Sequence, residues 1–390
     1  MPHSGIIESF FYIFAGAAVL ATFALYTRQP MLVAYIALGC LLGPFGFALV
    51  DDPALLTEIA EFGIIFLLFL VGLDLQPSKL KNMLGESLLT ALGTTALFFA
   101  LGFTVMWSFG FEIMEAIVAG FAACFSSTIL GIKLLPTTAL HHRHIGELVV
   151  SLLLIQDLLA ILAILILTGL GVDNAALATS LISIFAGLPL LVGVTLLSVR
   201  FGLLYLIKTF DAFHEYIFLV AIGWCLGIAT LAQTLGLSLE IGAFIAGVSL
   251  ATSPIAQYIA ESLRPLRDFF LVLFFFSVGA ALNIDLLPQV WLPALLLAAL
   301  LIALKPIVFA GLLRIQGEDK EVAWEVGYRL GQASEFSLLL SYIAVSSLLI
   351  GELAAVVIQF STVLTLVVSS YFVIFRYPSP IAPNANLRRD

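Results

Sequence analysis

The sequence predicts an all-α polytopic membrane protein with thirteen transmembrane helices, and three observations lead to that class. Of the 390 residues, 62% are hydrophobic and only 11% are charged, with a mean hydropathy of +1.16. An average globular protein carries about 25% charged residues, so most of this surface has to face lipid. Thirteen apolar runs, near 6–26, 30–49, 54–75, 84–108, 113–135, 145–169, 176–199, 214–235, 237–253, 265–284, 289–313, 321–348 and 352–375, are separated by short polar breaks. Fourteen of the sixteen basic residues, from Arg28 and Lys79 to Arg388 and Arg389, lie in the breaks after odd-numbered runs or at the run edges that border them, and none follows an even one. That one-sided placement predicts the N terminus outside and the C terminus cytoplasmic. Acidic residues such as Asp51, Glu112, Asp173 and Glu352 mark the opposite face.

The first run, Ile6 to Tyr26, lacks a basic start, carries Glu8 and is longer than the apolar core of a signal peptide, so it reads as a span. The third run (Glu61 to Leu75, EFGIIFLLFLVGLDL) recurs in the tenth (Asp268 to Leu282, DFFLVLFFFSVGAAL) at an offset of 207 residues. Phe62, Phe69, Val71, Gly72 and Leu75 return as Phe269, Phe276, Val278, Gly279 and Leu282. The third run points inward and the tenth outward, so runs 1–6 and 8–13 are predicted to form two inverted six-helix repeats with the seventh as linker, a plan common in secondary transporters. The same offset places Gly120 and Ser127 of the fifth run on Gly327 and Ser334 of the twelfth. Both runs are interrupted there, one by Cys124, Phe125, Ser126, Ser127 and Thr128, the other by Gly331, Gln332, Ala333, Ser334 and Glu335. Small polar residues at mid-depth let a backbone unwind where it lines a cavity, exposing half-helix ends whose partial charges can hold ions. The other way to accommodate them is for Ser and Thr to bond back to their own helix.

The sixth run, Leu148 to Thr168 (LVVSLLLIQDLLAILAILILT), carries the strongest functional signal, because Gln156 and Asp157 sit near its middle with no other ionisable group. A carboxyl at the membrane centre costs at least about 2.5–3.5 kcal/mol, so it is tolerated mainly in a bundle interior or wet cavity. Asp157 is therefore predicted to bind a cation or carry a proton, with a buried structural partner as the other reading. Lys305, followed directly by Pro306, lies near mid-depth in the eleventh run and needs a counter-charge. Asp157 and the carbonyl ends of the broken helices are the candidates, with snorkelling to the cytoplasm as the alternative. Glu335 is suited to offset the positive N-terminal ends of the half-helices, and Arg329 to reach the cytoplasmic interface or pair structurally, with contact to the ion as the other reading.

Other polar features are weaker. His141, His142, Arg143 and His144 form a cytoplasmic cluster that suits a metal, a pH sensor or simply a solvated loop. Glu240 lines an entrance or faces water. Cys40, Cys124 and Cys225 fall inside apolar runs without zinc or disulfide spacing and read as core filling. The net charge of −9, without a basic stripe, argues against nucleic acid. Residues 1–376 are assigned to the membrane domain and the proline-rich residues 377–390 to a cytoplasmic tail.

On these residues the chain resembles the monovalent cation:proton antiporter-2 family, and within it the Kef-type potassium/proton branch. The matching stretches are GCLLGP at 39–44, EFGIIFLLFLVGLDLQP at 61–77, FSSTILGIKLL at 125–135, LLIQDLLAI at 153–161, EIGAFIAGVSLA at 240–251, LRDFFLVLFFFSVGAALNI at 266–284 and GQASEFSLLL at 331–340. The resemblance implies a core domain with two crossing broken helices (spans about 84–169 and 289–375) beside a dimerisation domain, hence a homodimer. It also implies Asp157 as the ion-binding carboxyl, Lys305 as the core lysine, and a multi-pass protein of the cell (inner) membrane. Sodium-selective relatives commonly have Asn-Asp where this chain has Gln156-Asp157. The family's Gly-Gly-Glu-Phe pattern is Ala333, Ser334, Glu335 and Phe336 here. The resemblance also implies a nucleotide-binding regulatory domain, which Kef-type chains commonly carry beyond the membrane region and these 390 residues do not include; a separate cytosolic regulator is a further expected partner.

Residues and resemblance together predict a secondary antiporter rather than an enzyme, exchanging a monovalent cation, potassium over sodium, for protons by alternating access. The expected cation/proton site is Asp157, Gln156, Ser126, Ser127 and Thr128. Lys305 and Glu335 compensate charge, and Gly331, Gln332 and Ser334 belong to the second break. No cofactor is expected, and no metal beyond the transported cation. A sodium/proton antiporter of the same fold is the alternative. A cation channel is a further one, though there is no four-fold carbonyl-filter sequence or acidic ring.

Overall fold

The computed structural model describes residues 6–27, 29, 31–50, 52–74, 77–135, 144–170, 187–210, 214–237, 239–251, 253 and 256–379, and its regular structure is helical. The helices are α1 (Ile6–Thr27), α2 (Met31–Leu42), α3 (Pro53–Asp74), α4 (Pro77–Ser108), α5 (Ile113–Cys124), α6 (Thr128–Lys133), α7 (His144–Leu170), α8 (Leu188–Ser198), α9 (Leu204–Thr209), α10 (His214–Thr234), α11 (Leu239–Ala251), α12 (Ala256–Ala281), α13 (Leu287–Ile315), α14 (Lys320–Arg329), α15 (Glu335–Ser346) and α16 (Glu352–Arg376). A π-helical turn, Val199–Leu203, joins α8 to α9. Among the described residues seven helices are long and apolar enough to cross a bilayer, and six further apolar stretches are only 10–17 residues long. The shorter group includes α5 and α15, each half of an interrupted span. At 1.5 Å per residue, 12 residues cover only about 18 Å of a hydrocarbon core about 30 Å thick.

Both predicted interruptions are present. α5 ends at Cys124, Phe125 turns extended (φ −86°, ψ 151°), and α6 restarts at Thr128. α14 ends at Arg329, Ser334 is extended (φ −105°, ψ 156°), and α15 restarts at Glu335. Serine favours such restarts, because its hydroxyl accepts from an N–H that the new helix leaves without a carbonyl. Ser127 Oγ accepts from Leu130 N at 3.1 Å, and Ser334 Oγ from Phe336 N at 3.1 Å.

The helix ends repeat with the spacing found in the sequence. At an offset of 207 residues, α1 and α10 end at 27 and 234, α3 and α12 at 74 and 281, and α4 and α13 at 108 and 315. At the same offset α5 and α14 start at 113 and 320, and α6 and α15 at 128 and 335.

The chain divides into two compact units. One comprises residues 52–80 and 168–277, holding α3, α8, α10, α11 and most of α12. Here α3 and α11 meet backbone to backbone: a Cβ on Gly247 would lie 2.0 Å from the Phe69 carbonyl oxygen, and one on Gly72 2.4 Å from that of Phe244. Phe66 and Phe270 stack with ring centroids 4.7 Å apart. The other unit comprises residues 1–51, 81–167 and 278–390, and holds both interrupted helices, α7 up to Leu167, α13 and α16. Within it a Cβ on Gly279, the 207-residue counterpart of Gly72, would lie 2.0 Å from the Ile36 carbonyl oxygen on α2.

Some expectations fall outside the described residues: the start of the seventh run, 176–186; His141, His142 and Arg143; and the tail beyond Ser379. His144 opens α7, and its Nε2 lies 2.9 Å from a Glu318 carboxylate oxygen in the α13–α14 loop. The start of the tail is tied to the end of α14. Pro378 O accepts from Arg329 Nη2 at 2.8 Å, and Ser379 is buried.

Candidate functional site

The two helix breaks meet inside the second unit described above. Ser126 Oγ donates to Leu330 O at 2.8 Å, and Gln332 Nε2 lies 3.5 Å from Ser127 O. Ser337 Oγ, one turn into α15, donates to Ala122 O on α5 at 2.6 Å.

Lys305 reaches this meeting point from α13 and is fully buried. Its Nζ donates to Phe125 O at 2.6 Å and Gln332 O at 3.0 Å, and lies 3.4 Å from Ser126 Oγ. These carbonyls lie just past the C-terminal ends of α5 and α14, where the helix dipole is negative, so one ammonium balances both ends. Phe125 and Gln332 are 207 residues apart, the spacing of the sequence repeat. Of the counter-charges weighed from sequence, the hydrogen bonds go to the carbonyl ends. The ammonium also lies 5.4 Å from the centroid of the Phe98 ring.

The carboxylates take the opposite ends. Asp157, buried at 5% exposure, stands at the start of α6, where Thr128 Oγ1 lies 3.0 and 3.1 Å from its two carboxylate oxygens. Glu335, the first residue of α15 and also buried, is near enough to Asp157 for the two carboxyl groups to interact electrostatically. Acids at N-terminal ends and a base at C-terminal ends is the pairing that helix dipoles favour.

Gln156 turns away from the carboxylate. Its Oε1 accepts from Ser126 N at 3.2 Å and its Nε2 lies 3.4 Å from Cys124 O, so the amide splints the unwound end of α5. Gly331 packs against Pro306, where a Cβ would lie 3.2 Å from the ring Cγ. Arg329, 2% exposed, is a structural clamp: Nη2 bonds Glu325 at 2.6 Å and Pro378 O at 2.8 Å, and Nη1 donates to Leu134 O at 2.8 Å. Its guanidinium lies 5.9 Å from the ring centroid of Tyr377, whose phenol is pushed above its ordinary range chiefly by burial.

The sequence reading missed a buried polar stripe on α16. Thr365 Oγ1 accepts from Ala333 N at 2.9 Å, and Ser369 Oγ donates to Gln332 Oε1 at 3.0 Å. The signal was available: Thr362, Thr365 and Ser369 recur at helical spacing inside an apolar run.

A chain whose described regular structure is helical, and whose buried charges are distributed over the ends of two interrupted helices, defines a class of polytopic membrane protein built on paired helix breaks. The chain belongs to the sodium/hydrogen exchanger transmembrane family, whose model matches residues 10–375. Among curated relatives it is 32% identical over 325 residues to K(+) efflux antiporter 4 of Arabidopsis thaliana, covering 80% of this chain and 54% of that one. It is 31% identical over 355 residues to a putative K(+) efflux antiporter KefB of Alkalimonas amylolytica, covering 88% and 52%. These similarities agree with the Kef-type resemblance of the motifs, and the chain spans about half the length of the curated relatives it matches. Its fold is similar to that of the sodium proton antiporter MjNhaP1 of Methanocaldococcus jannaschii, with a TM-score of 0.67 and 17% identity over 94% of this chain and 96% of that one.

Proposed function

We propose that this chain is the membrane domain of a secondary antiporter that exchanges a monovalent cation, potassium in preference to sodium, for protons, with Asp157 as the shared site. The observation that carries the reading is the asymmetry of the meeting point. The C-terminal ends are already balanced by Lys305, whereas the N-terminal end of α6 presents Asp157, whose bonds among the described residues come from one hydroxyl, Thr128. A buried carboxylate so placed is neutralised either by a proton or by a dehydrated cation, and one group does not hold both stably; that exclusion is what couples the two fluxes. Membership of the exchanger family and similarity to K(+) efflux antiporters support exchange, and the names of those relatives support potassium. The reading is of a carrier, not an enzyme, with no cofactor.

The finer architecture follows. Thirteen spans are supported by the coincidence of each predicted run with one of the seven long or six shorter apolar helices. Two inverted repeats are supported by helix ends recurring at 207 residues. The core, spans about 84–169 and 289–375, moves against a dimerisation domain of a homodimer in the inner membrane, N terminus outside, with a separate cytosolic regulator as a further partner. Selectivity is ascribed to neutral oxygens around Asp157, Thr128 first, with Gln156 setting their position through the α5 break.

In proteoliposomes the protein should move protons only with a counter-cation present, with a lower half-maximal concentration for potassium than for sodium. Asp157→Asn should abolish exchange while the folded protein stays in the membrane, because it removes the titrating group and lowers the burial cost. Persistent exchange by this variant rules Asp157 out, a sodium preference rules potassium out, and cation flux independent of protons makes the protein a channel.

A further inference from the structure

We propose that Thr365 on α16 is a positioning residue for the ion site, holding through Ala333 and Gln332 the carbonyl on which Lys305 rests. The proposal rests on the reading of Asp157 as the ion site. Ala333 lies in the unwound segment between α14 and α15, so its N–H has no helical carbonyl to bond and is buried away from water. Thr365 Oγ1 accepts from that N–H at 2.9 Å, and its own proton goes to Thr362 O at 2.8 Å, which fixes the rotamer with a lone pair toward Ala333. One residue earlier, Gln332 O accepts from Lys305, Gln332 Nε2 donates to Arg329 O at 2.9 Å, and Gln332 Oε1 accepts from Ser369 Oγ at 3.0 Å. Thr365 and Ser369 are four residues apart on one helix face, so α16 grips two consecutive residues of the break.

The first break is gripped in the corresponding place. Ser126 N, 207 residues before Ala333 N, donates to Gln156 Oε1 at 3.2 Å. One grip therefore comes from the helix that carries Asp157 and the other from α16, and the Lys305 ammonium ties the two gripped carbonyl segments together. If Ala333 drifts, the Gln332 carbonyl moves off Lys305, the ammonium shifts toward Phe125 O, and the α5 end moves with it. Thr128 begins α6 three residues after Phe125, so the hydroxyl that faces Asp157 is displaced without Thr365 touching the ion.

The test is cation-driven proton exchange in proteoliposomes at matched amounts of folded protein, comparing wild type, Thr365→Val, Thr365→Ser, Ser369→Ala and Asp157→Asn. Thr365→Val keeps the shape and removes the acceptor, so the half-maximal cation concentration should rise by about three- to tenfold. Thr365→Ser, which restores the hydroxyl, should return it to within about twofold of wild type. Ser369→Ala loosens the neighbouring grip while leaving every backbone donor bonded, and should shift the value in the same direction by less; it decides the matter if Thr365→Val does not fold. A wild-type half-maximal concentration in Thr365→Val, or no rescue by serine, overturns the proposal, as does a wild-type value in Ser369→Ala when valine misfolds. Retained exchange in Asp157→Asn removes the underlying site reading; loss there with Thr365→Val unaffected removes only the positioning role.

Discussion

At the scale of single residues, Lys305 shows how a charge is held inside a membrane domain where no opposite formal charge among the described residues is in hydrogen-bonding contact. Its partners are two carbonyl ends and one hydroxyl. Removing the ammonium orphans both carbonyls at once. Lys305→Ala should therefore destabilise the protein by about 2–4 kcal/mol, since two hydrogen bonds to a charged group, worth roughly 1.5–3 kcal/mol each, are lost while the cost of burying the ammonium is relieved. Thermal melting in detergent reads this directly, and an unchanged melting temperature would show that water or a neighbouring side chain fills the gap. Asp157 and Lys305 were legible in sequence because a charge in an apolar run is conspicuous whatever surrounds it. The direction of Gln156 was not legible. Whether an amide faces a carboxylate or a backbone depends on where another helix unwinds, and Ser126 and Cys124 lie some thirty positions away in the chain.

At the scale of elements, α3 and α11 are joined by a contact that tolerates no side chain. Gly247→Ala would put its Cβ 2.0 Å from the Phe69 carbonyl oxygen. Backbone cannot rotate aside as a side chain can, so the cost should reach about 3 kcal/mol or more, at or above the top of the usual overpacking range. Gly193→Ala on α8, where a Cβ would meet nothing within 4 Å, is the control, and should be neutral or stabilising by up to about 1 kcal/mol. Equal melting temperatures for the two variants would show that the helices separate to make room. The broken helices were legible as elements: clusters of small polar residues in the fifth and twelfth runs mark the places where α5 and α14 end. The stripe on α16 escaped because hydroxyls at helical spacing in an apolar run usually bond to their own helix, and Ser361 with Ser370 do just that.

At the scale of the whole molecule, the repeat was read from a handful of identities between the third and tenth runs, yet helix boundaries keep the same offset from α1 to α15. Helix ends are set by caps and turns rather than by interchangeable apolar residues, so the spacing is clearer in the boundaries than in residue identities. Orientation is a matter of basic residues and a real membrane. Single cysteines at Ser78 and Asp173 should label from opposite sides, Ser78 from the cytoplasm. Cys124 and Cys225 are buried, which leaves Cys40 to be replaced first. Labelling of both positions from one side would overturn the thirteen-span arrangement.

The contact between Lys305 and Phe98 bears on why only one of two positions paired by the 207-residue spacing carries a charge. Positions 98 and 305 are themselves 207 residues apart, and their side chains converge on one spot, 5.4 Å between ammonium and ring centroid. A lysine in both places would set two ammonium groups at about that spacing, a repulsion of about 3 kcal/mol at an effective dielectric of 20. Two positions that converge on one spot cannot both furnish its charge. One position supplies the charge and the other an aromatic face that receives it, so residues 98 and 305 have to differ although the 207-residue spacing pairs them.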